Sequence, residues 1–234
     1  MQITDPGQTR HRPVWALLGI VALMLGAAPE AVAADPKIQV VGDSVMTWNG
    51  RNAIPEVIAR ALGEPVDNNA RAGARLTRSS LIARSVEAQF RRGSWDWVIV
   101  NGGANDLNRS CGCNRCDAEI AAMISADGQR GTWPDLVAGL RAGGAERVMI
   151  VGYYGPTGRG GRTDRCADEL AIVDARLSQL AAAREGVFFV DADPVMGPRT
   201  PELFSSDLIH PNARGSAVIG AHVAEALSRL DPAR

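Results

Sequence analysis

From Lys37 onward the chain alternates short apolar runs with longer stretches in which apolar residues recur every three or four positions. The short runs are Ile38–Val41, Val66–Asn68, 97–101, 148–151 and Val187–Val190, and they are rich in β-branched residues. Runs of this kind, without strict alternation of apolar and polar positions, read as strands buried on both faces. Helical patterns fill the gaps. Residues 55–62 open on Pro55 and stop before Gly63, the usual asymmetry of helix starts and ends. Residues 81–90 follow Ser79-Ser80, Asp117–Met123 and 134–141 share one connection, and 168–183 occupy the next. In Ala213–Leu230, the residues Ile219, Val223, Ala226, Leu227 and Leu230 fall on one helical face. Strand and helix in alternation predict an α/β fold, a parallel sheet with helices on both faces.

The segment before Lys37 follows a different pattern. Arg10 and Arg12 precede an apolar run over residues 14–28, followed by Pro29 and the small-x-small triplet Ala31-Val32-Ala33. Basic region, apolar region and cleavage site in that order predict a signal peptide over residues 1–34, cut near Ala33 or Ala34. The apolar run is shorter than the ~20 residues a spanning helix needs, so no membrane span is expected after cleavage. A periplasmic or secreted location follows as an expectation, with residues 35–234 as a single catalytic domain. The composition agrees with one ordinary core, being 46% hydrophobic and 22% charged over 234 residues. A formal net charge of -1 offers no basic field for a phosphate backbone, so nucleic acid is not an expected partner.

Export changes the reading of the four cysteines. Cys111, Cys113 and Cys116 cluster in "SCGCNRCDAE" and Cys166 stands alone, an even number in a chain bound for an oxidising compartment. Two disulfides are expected. A Cys111–Cys113 bridge would be strained by its single intervening residue, so Cys166 is expected to close onto the cluster, with the pairing otherwise open. A zinc site is the alternative, but its ligands usually come as two separated pairs.

Three irregular segments, 105–116, 152–163 and 192–211, each follow the carboxyl end of a predicted strand. Open parallel sheets bind ligands outside those ends, especially where strand order reverses, which in the flavodoxin-like order 2-1-3-4-5 lies between strands one and three. There the "VVGDS" motif ending on Ser44 would face "NGGAND". A serine becomes nucleophilic only beside a base, usually a histidine oriented by a carboxylate. Of the three histidines, His11 would leave with the signal peptide and His222 sits beside the apolar face of the last predicted helix, a packing position. His210 lies in a loop, "SSDLIHPNARG", three residues after Asp207. Acyl transfer also needs oxyanion donors, for which the backbone near Gly73 in "NNARAGARL" and the amide of Asn105 in "GGAND" are available.

"VVGDS", the glycine of "NNARAGA", "GGAND" and "SDLIHP", in that order, resemble the four sequence blocks of the SGNH (GDSL-type) hydrolase family. The resemblance implies a three-layer α/β/α sandwich with a five-stranded parallel sheet and a serine esterase activity. It implies no metal and no organic cofactor. By position, Ser44 resembles the nucleophile, His210 the base and Asp207 its orienting carboxylate. The backbones of Ser44 and Gly73 and the side chain of Asn105 correspond to the oxyanion hole, and Asp43 to a structural residue of the loop presenting Ser44. The substrate class implied is a small-molecule or glycan-linked carboxylic ester, cleaved through an acyl-enzyme. An acyltransferase or deacetylase of extracellular polysaccharide is the alternative, and a glycan- or lipid-binding module on the same fold a further one. Beyond the family blocks, "NRSCGCNRC" lies at the lip of the expected crevice and "YYGPTGRGGRTDRC" at the same sheet edge. A disulfide from Cys166 to the cluster would tie them into a wall beside Ser44. Trp48, Tyr153 and Tyr154 fall near strand ends and are candidates for the pocket lining.

Overall fold

Strand β1 (Ile38–Val41) is buried along its whole length, as its uninterrupted apolar run requires. The computed structural model describes residue 2 and residues 35–234 apart from Ile82, Gly161, Pro198 and Arg199, so the signal-peptide assignment lies outside the described residues. Around β1 the sheet adds β2 (Val66–Asn68), β3 (Trp95–Val100), β4 (Ala145–Val151) and β5 (Val187–Val190). The five strands are all parallel and run in the order β2-β1-β3-β4-β5. The order therefore reverses at β1, and Val41 lies opposite Val100 at the carboxyl ends of β1 and β3. Val98, Ile99, Val100, Met149 and Ile150 are fully buried.

The helices are α1 (Ser44–Thr47), α2 (Ile54–Leu62), α3 (Val86–Gln89), α4 (Ala104–Ser110), α5 (Asp117–Met123), α6 (Thr132–Ala142), α7 (Arg162–Ala182), α8 (Asp193–Met196) and α9 (Ala213–Leu230). Helix α9 returns along α2, where Gly220 lets the two approach so closely that a Cβ would stand 2.6 Å from Val57. Helices α4, α5, α6 and α7 form a second contiguous group. The face read from α9 holds for Ile219, Val223, Ala226 and Leu227, but Leu230 at the end of the helix is 41% exposed. His222 is half-buried in α9, as a packing residue would be.

Several boundaries differ from the sequence reading for local reasons. The helix expected over 81–90 shrinks to α3. Upstream of it the serines capture backbone groups that a helix would need: Ser85 N–H donates to the Ser79 hydroxyl at 3.0 Å, and Ala83 N–H to that of Ser80 at 3.1 Å. Strands β3 and β4 begin earlier than expected, since Trp95 already pairs with Ala145 although charged Asp96 and Glu146 hide the pattern. Helix α7 starts at Arg162 rather than 168, and α4 occupies the first half of what reads as an irregular segment.

Both disulfides form. Cys111 pairs with Cys116, and Cys113 with Cys166, so Cys166 does close onto the cluster and no thiolate is left for zinc. The second bridge spans 53 residues and joins the α4–α5 connection to the first turns of α7. Constraining a loop of that length in the unfolded chain is worth ~2–4 kcal/mol. Replacing Cys113 and Cys166 together by serine is expected to lower the unfolding free energy by about that much, measured by urea denaturation without reductant. Replacing Cys111 and Cys116, five residues apart, is expected to cost less.

Candidate active site

The chain leaves β1 through Gly42, whose N–H donates to the buried Gln89 side chain at 2.8 Å. A Cβ here would stand 3.0 Å from the Met46 side chain and 3.2 Å from the Asn101 carbonyl, so only glycine makes this turn without displacing β3. Asp43 then caps α1, its Oδ1 accepting from Val45 N–H at 2.9 Å. Ser44 is the first residue of α1, a position where the backbone N–H has no intrahelical acceptor. The other carboxylate oxygen of Asp43 accepts from the Tyr153 hydroxyl at 2.6 Å, and the Tyr153 oxygen accepts from Ala104 N–H at 3.2 Å. Burial pushes the Asp43 carboxyl above its ordinary value, and the donors at Tyr153 and Val45 offset part of that. Tyr153 itself is held by its backbone, whose N–H donates to Asp174 at 2.9 Å.

His210 comes from the loop before α9. Asp207 Oδ1 accepts from the N–H groups of Ile209 and His210, both at 3.0 Å, around a left-handed Leu208 with φ 54°. Its Oδ2 lies 2.6 Å from His210 Nδ1, and His210 Nε2 lies 2.8 Å from Ser44 Oγ. Burial raises the Asp207 carboxyl, but the His210 ring and the two backbone donors outweigh it and hold the group below the ordinary carboxylate value. An ionised carboxylate only accepts, so Nδ1 carries the proton and Nε2 presents its lone pair to the serine hydroxyl.

Two further segments brace the imidazole and its loop. Trp48 stacks on it with centroids 3.8 Å apart and planes inclined by 9°, and its indole N–H donates to Ser205 Oγ at 3.0 Å. Tyr154 O–H donates to the Ile209 carbonyl at 2.6 Å. Asn49, left-handed with φ 75°, donates to the Pro211 carbonyl at 2.9 Å and to Ser216 at 2.8 Å.

The donors face the same crevice. Gly73 takes a positive φ of 74°, and its N–H makes no hydrogen bond among the described residues. Asn105, in the first turn of α4, donates one amide hydrogen to the Ala74 carbonyl at 3.0 Å and keeps a second. Asp106 pins α4 to the glycine turn, accepting from Leu76 N–H at 3.0 Å and from Arg75 at 3.2 Å. Ser44, Gly73, Asn105 and His210 all line a cavity of about 290 Å³, closed on its apolar side by residues including Tyr154, Cys166, Leu170 and Ile209. A neighbouring hollow of about 320 Å³ shares Tyr153, Tyr154 and Leu170 as wall but is lined by Asp174, Asp191 and Asp193 and by no histidine. Among the described residues no group of His, Cys, Asp and Glu is arranged to hold a metal ion.

Of the residues singled out from the sequence, Ser44, Gly73, Asn105 and His210 line one crevice together with Trp48, Tyr153 and Tyr154, Cys166 forms part of its wall, and Asp207 reaches it through His210. What the sequence does not reveal is the pairing of Tyr153 with Asp43 and the stack of Trp48 on His210. The available signal was the position of aromatic residues just past strand ends.

The model of the GDSL-like lipase/acylhydrolase family matches residues 40–218. Comparison with curated proteins finds no sequence match. Similar solved structures include a carbohydrate acetylesterase family member from Sinorhizobium meliloti, 15% identical with TM-score 0.61, the match covering 83% of this chain and 98% of that one. A carbohydrate esterase family 2 enzyme with a carbohydrate binding domain from Corynascus thermopiles (Myceliophthora fergusii) is 20% identical with TM-score 0.58, covering 86% and 68%. An acetyl xylan esterase from Butyrivibrio proteoclasticus is 15% identical with TM-score 0.59, covering 86% and 65%.

The Asp174 carboxyl, shielded by burial and facing Asp191 and Asp193, is raised from 3.8 to about 7 in spite of the Tyr153 N–H. Between those values the folded chain holds a proton that the unfolded chain has released, so this group's contribution to stability falls as pH rises through the window. Asp174→Asn can still accept from Tyr153 but does not titrate. Its melting temperature relative to wild type is expected to be higher at about pH 8 than at about pH 5, measured by thermal denaturation.

Proposed function

The chain belongs to the GDSL-like lipase/acylhydrolase family, and we propose that it is an exported serine hydrolase that cleaves short-chain carboxylic esters, acetyl esters of carbohydrate first among them. The observation that carries this reading is the continuous hydrogen-bond series from Asp207 through His210 to Ser44, open to a small apolar cavity. His210 Nε2 takes the Ser44 proton as Oγ attacks the ester carbonyl, and Asp207 steadies the imidazolium that results. The developing oxyanion is held by the N–H groups of Ser44 and Gly73 and by the second amide hydrogen of Asn105. His210 then protonates the departing alcohol, leaving an acyl group on Ser44, and a water activated by the same imidazole releases it.

Substrate size follows from the cavity. At about 290 Å³ it lies at the small end of the ~300–1,000 Å³ range of ligand pockets, room for a short acyl group rather than a long fatty chain. Similar structures named as a carbohydrate acetylesterase, a carbohydrate esterase and an acetyl xylan esterase favour a sugar as the alcohol. The basic-then-apolar leader and the two disulfides support export to an oxidising compartment.

Hydrolysis of a nitrophenyl ester series and of acetylated xylan tests the reading. The rate is expected to peak at acetate or another short acyl chain. Ser44→Ala is expected to lose at least on the order of 10³-fold in kcat, and Asp207→Asn about 10³- to 10⁴-fold, because an amide can donate to Nδ1 and hold the ring in the wrong tautomer. Equal rates for wild type and Ser44→Ala on every ester would overturn the assignment.

A further inference from the structure

Helix α4 brings a second functional group to the crevice. Asn105 and Arg109 are four residues apart and so share one helical face, and Asn108 between them lines the cavity. The Arg109 guanidinium reaches over the oxyanion turn: one of its terminal nitrogens lies 3.8 Å from where a Cβ at Gly73 would stand. No acidic side chain pairs with Arg109 among the described residues, in contrast to the neighbouring Arg75, which Asp106 engages at 3.2 Å. The carboxylates nearest the reaction are also committed elsewhere, Asp43 to Tyr153 and Val45 and Asp207 to His210. An exposed, uncompensated positive charge therefore stands at the rim of the oxyanion hole.

The polarity of the lining assigns the parts of a substrate. A short acyl group matches the apolar residues Cys166, Leu170 and Ile209 of the lining. The hydroxylated alcohol is assigned to the solvent side, where Asn108 and Arg109 are exposed. A guanidinium offers a planar fork of donors matched to a carboxylate. On the ester-hydrolase reading above, we propose that Arg109 determines specificity by binding a carboxylate on the alcohol part of the substrate, which makes acyl esters of acidic sugars the preferred class.

The test uses two substrates that differ in this charge, an O-acetylated methyl galacturonoside with its carboxylate free and the same compound with that carboxylate methyl-esterified, acetate release being read in both. Wild type is expected to prefer the free carboxylate in kcat/KM by about three- to tenfold at low ionic strength, the preference narrowing as salt screens the pair. Arg109→Gln is expected to bring the ratio toward one and Arg109→Lys to keep part of it, with melting temperatures confirming that both variants fold. No preference in wild type, or an equal loss on both esters in Arg109→Gln, would overturn the proposal and point instead to a general electrostatic role at the oxyanion. Turnover of nitrophenyl acetate without preference between the sugar esters sinks this proposal alone. Absence of any Ser44-dependent ester turnover sinks it together with the reading on which it rests.

Discussion

A buried carboxylate at the end of β1 must find donors or lose its charge, and Asp43 finds one in its own turn and one on another segment of the sheet edge. Val45 lies just past β1, Tyr153 just past β4, and Tyr153 is in turn tied to Ala104 just past β3. One short hydrogen-bond series therefore spans the topological reversal and fixes where the first residue of α1 stands. Ser44 is placed by the sheet itself. His210 is placed by the Asp207 turn and by the same two segments, through the Trp48 stack and the Asn49 bond just past α1 and the Tyr154 bond beside Tyr153. The 2.8 Å approach of Nε2 to Oγ is where these two assemblies meet.

Charge is distributed accordingly. On the proposed mechanism the ionised carboxylate beside His210 favours the imidazolium, while Asp43, one residue from Ser44, is covered by a phenol and a backbone N–H. A bare negative charge next to Ser44 would oppose an oxyanion; a hydrogen-bonded and buried one opposes it less.

Much of this was legible in the sequence because it depends on local pattern. β-branched runs without alternation gave the parallel sheet, and the placement of Ser44, Gly73, Asn105 and His210 after predicted strand ends gave a common crevice. Pairings across distant segments were not legible. Tyr153 and Asp43 are 110 residues apart, and nothing in either local sequence says that the phenol donates there rather than packing in the core. The helix expected over 81–90 failed for the opposite reason: its apolar spacing was real, but serine hydroxyls captured the backbone donors that the pattern ignores. Helix α4 was missed because Asn105, Asp106 and Asn108 are poor helix formers, and tertiary bonds from Asp106 to Leu76 and Arg75 hold it instead.

The cysteine insert acquires its meaning from the same network. Cys113–Cys166 joins the segment after α4 to the start of α7, so the helix carrying Asn105 and Arg109 is fastened to the helix carrying Leu170 and Asp174. Asp174 receives the Tyr153 N–H, and Tyr153 donates to Asp43 beside the nucleophile. The chain of contacts is closed: from Ser44 through Asp43 and Tyr153 to α7, across the disulfide to α4, and back to the oxyanion donors over the same crevice. A constraint applied at the disulfide is therefore applied to the cavity wall and to the α4 rim together. Both of the helices it fastens contribute residues to the crevice, Asn105 and Asn108 from α4 and Cys166 and Leu170 from α7, so the bridge stands where it can constrain the site as well as the fold.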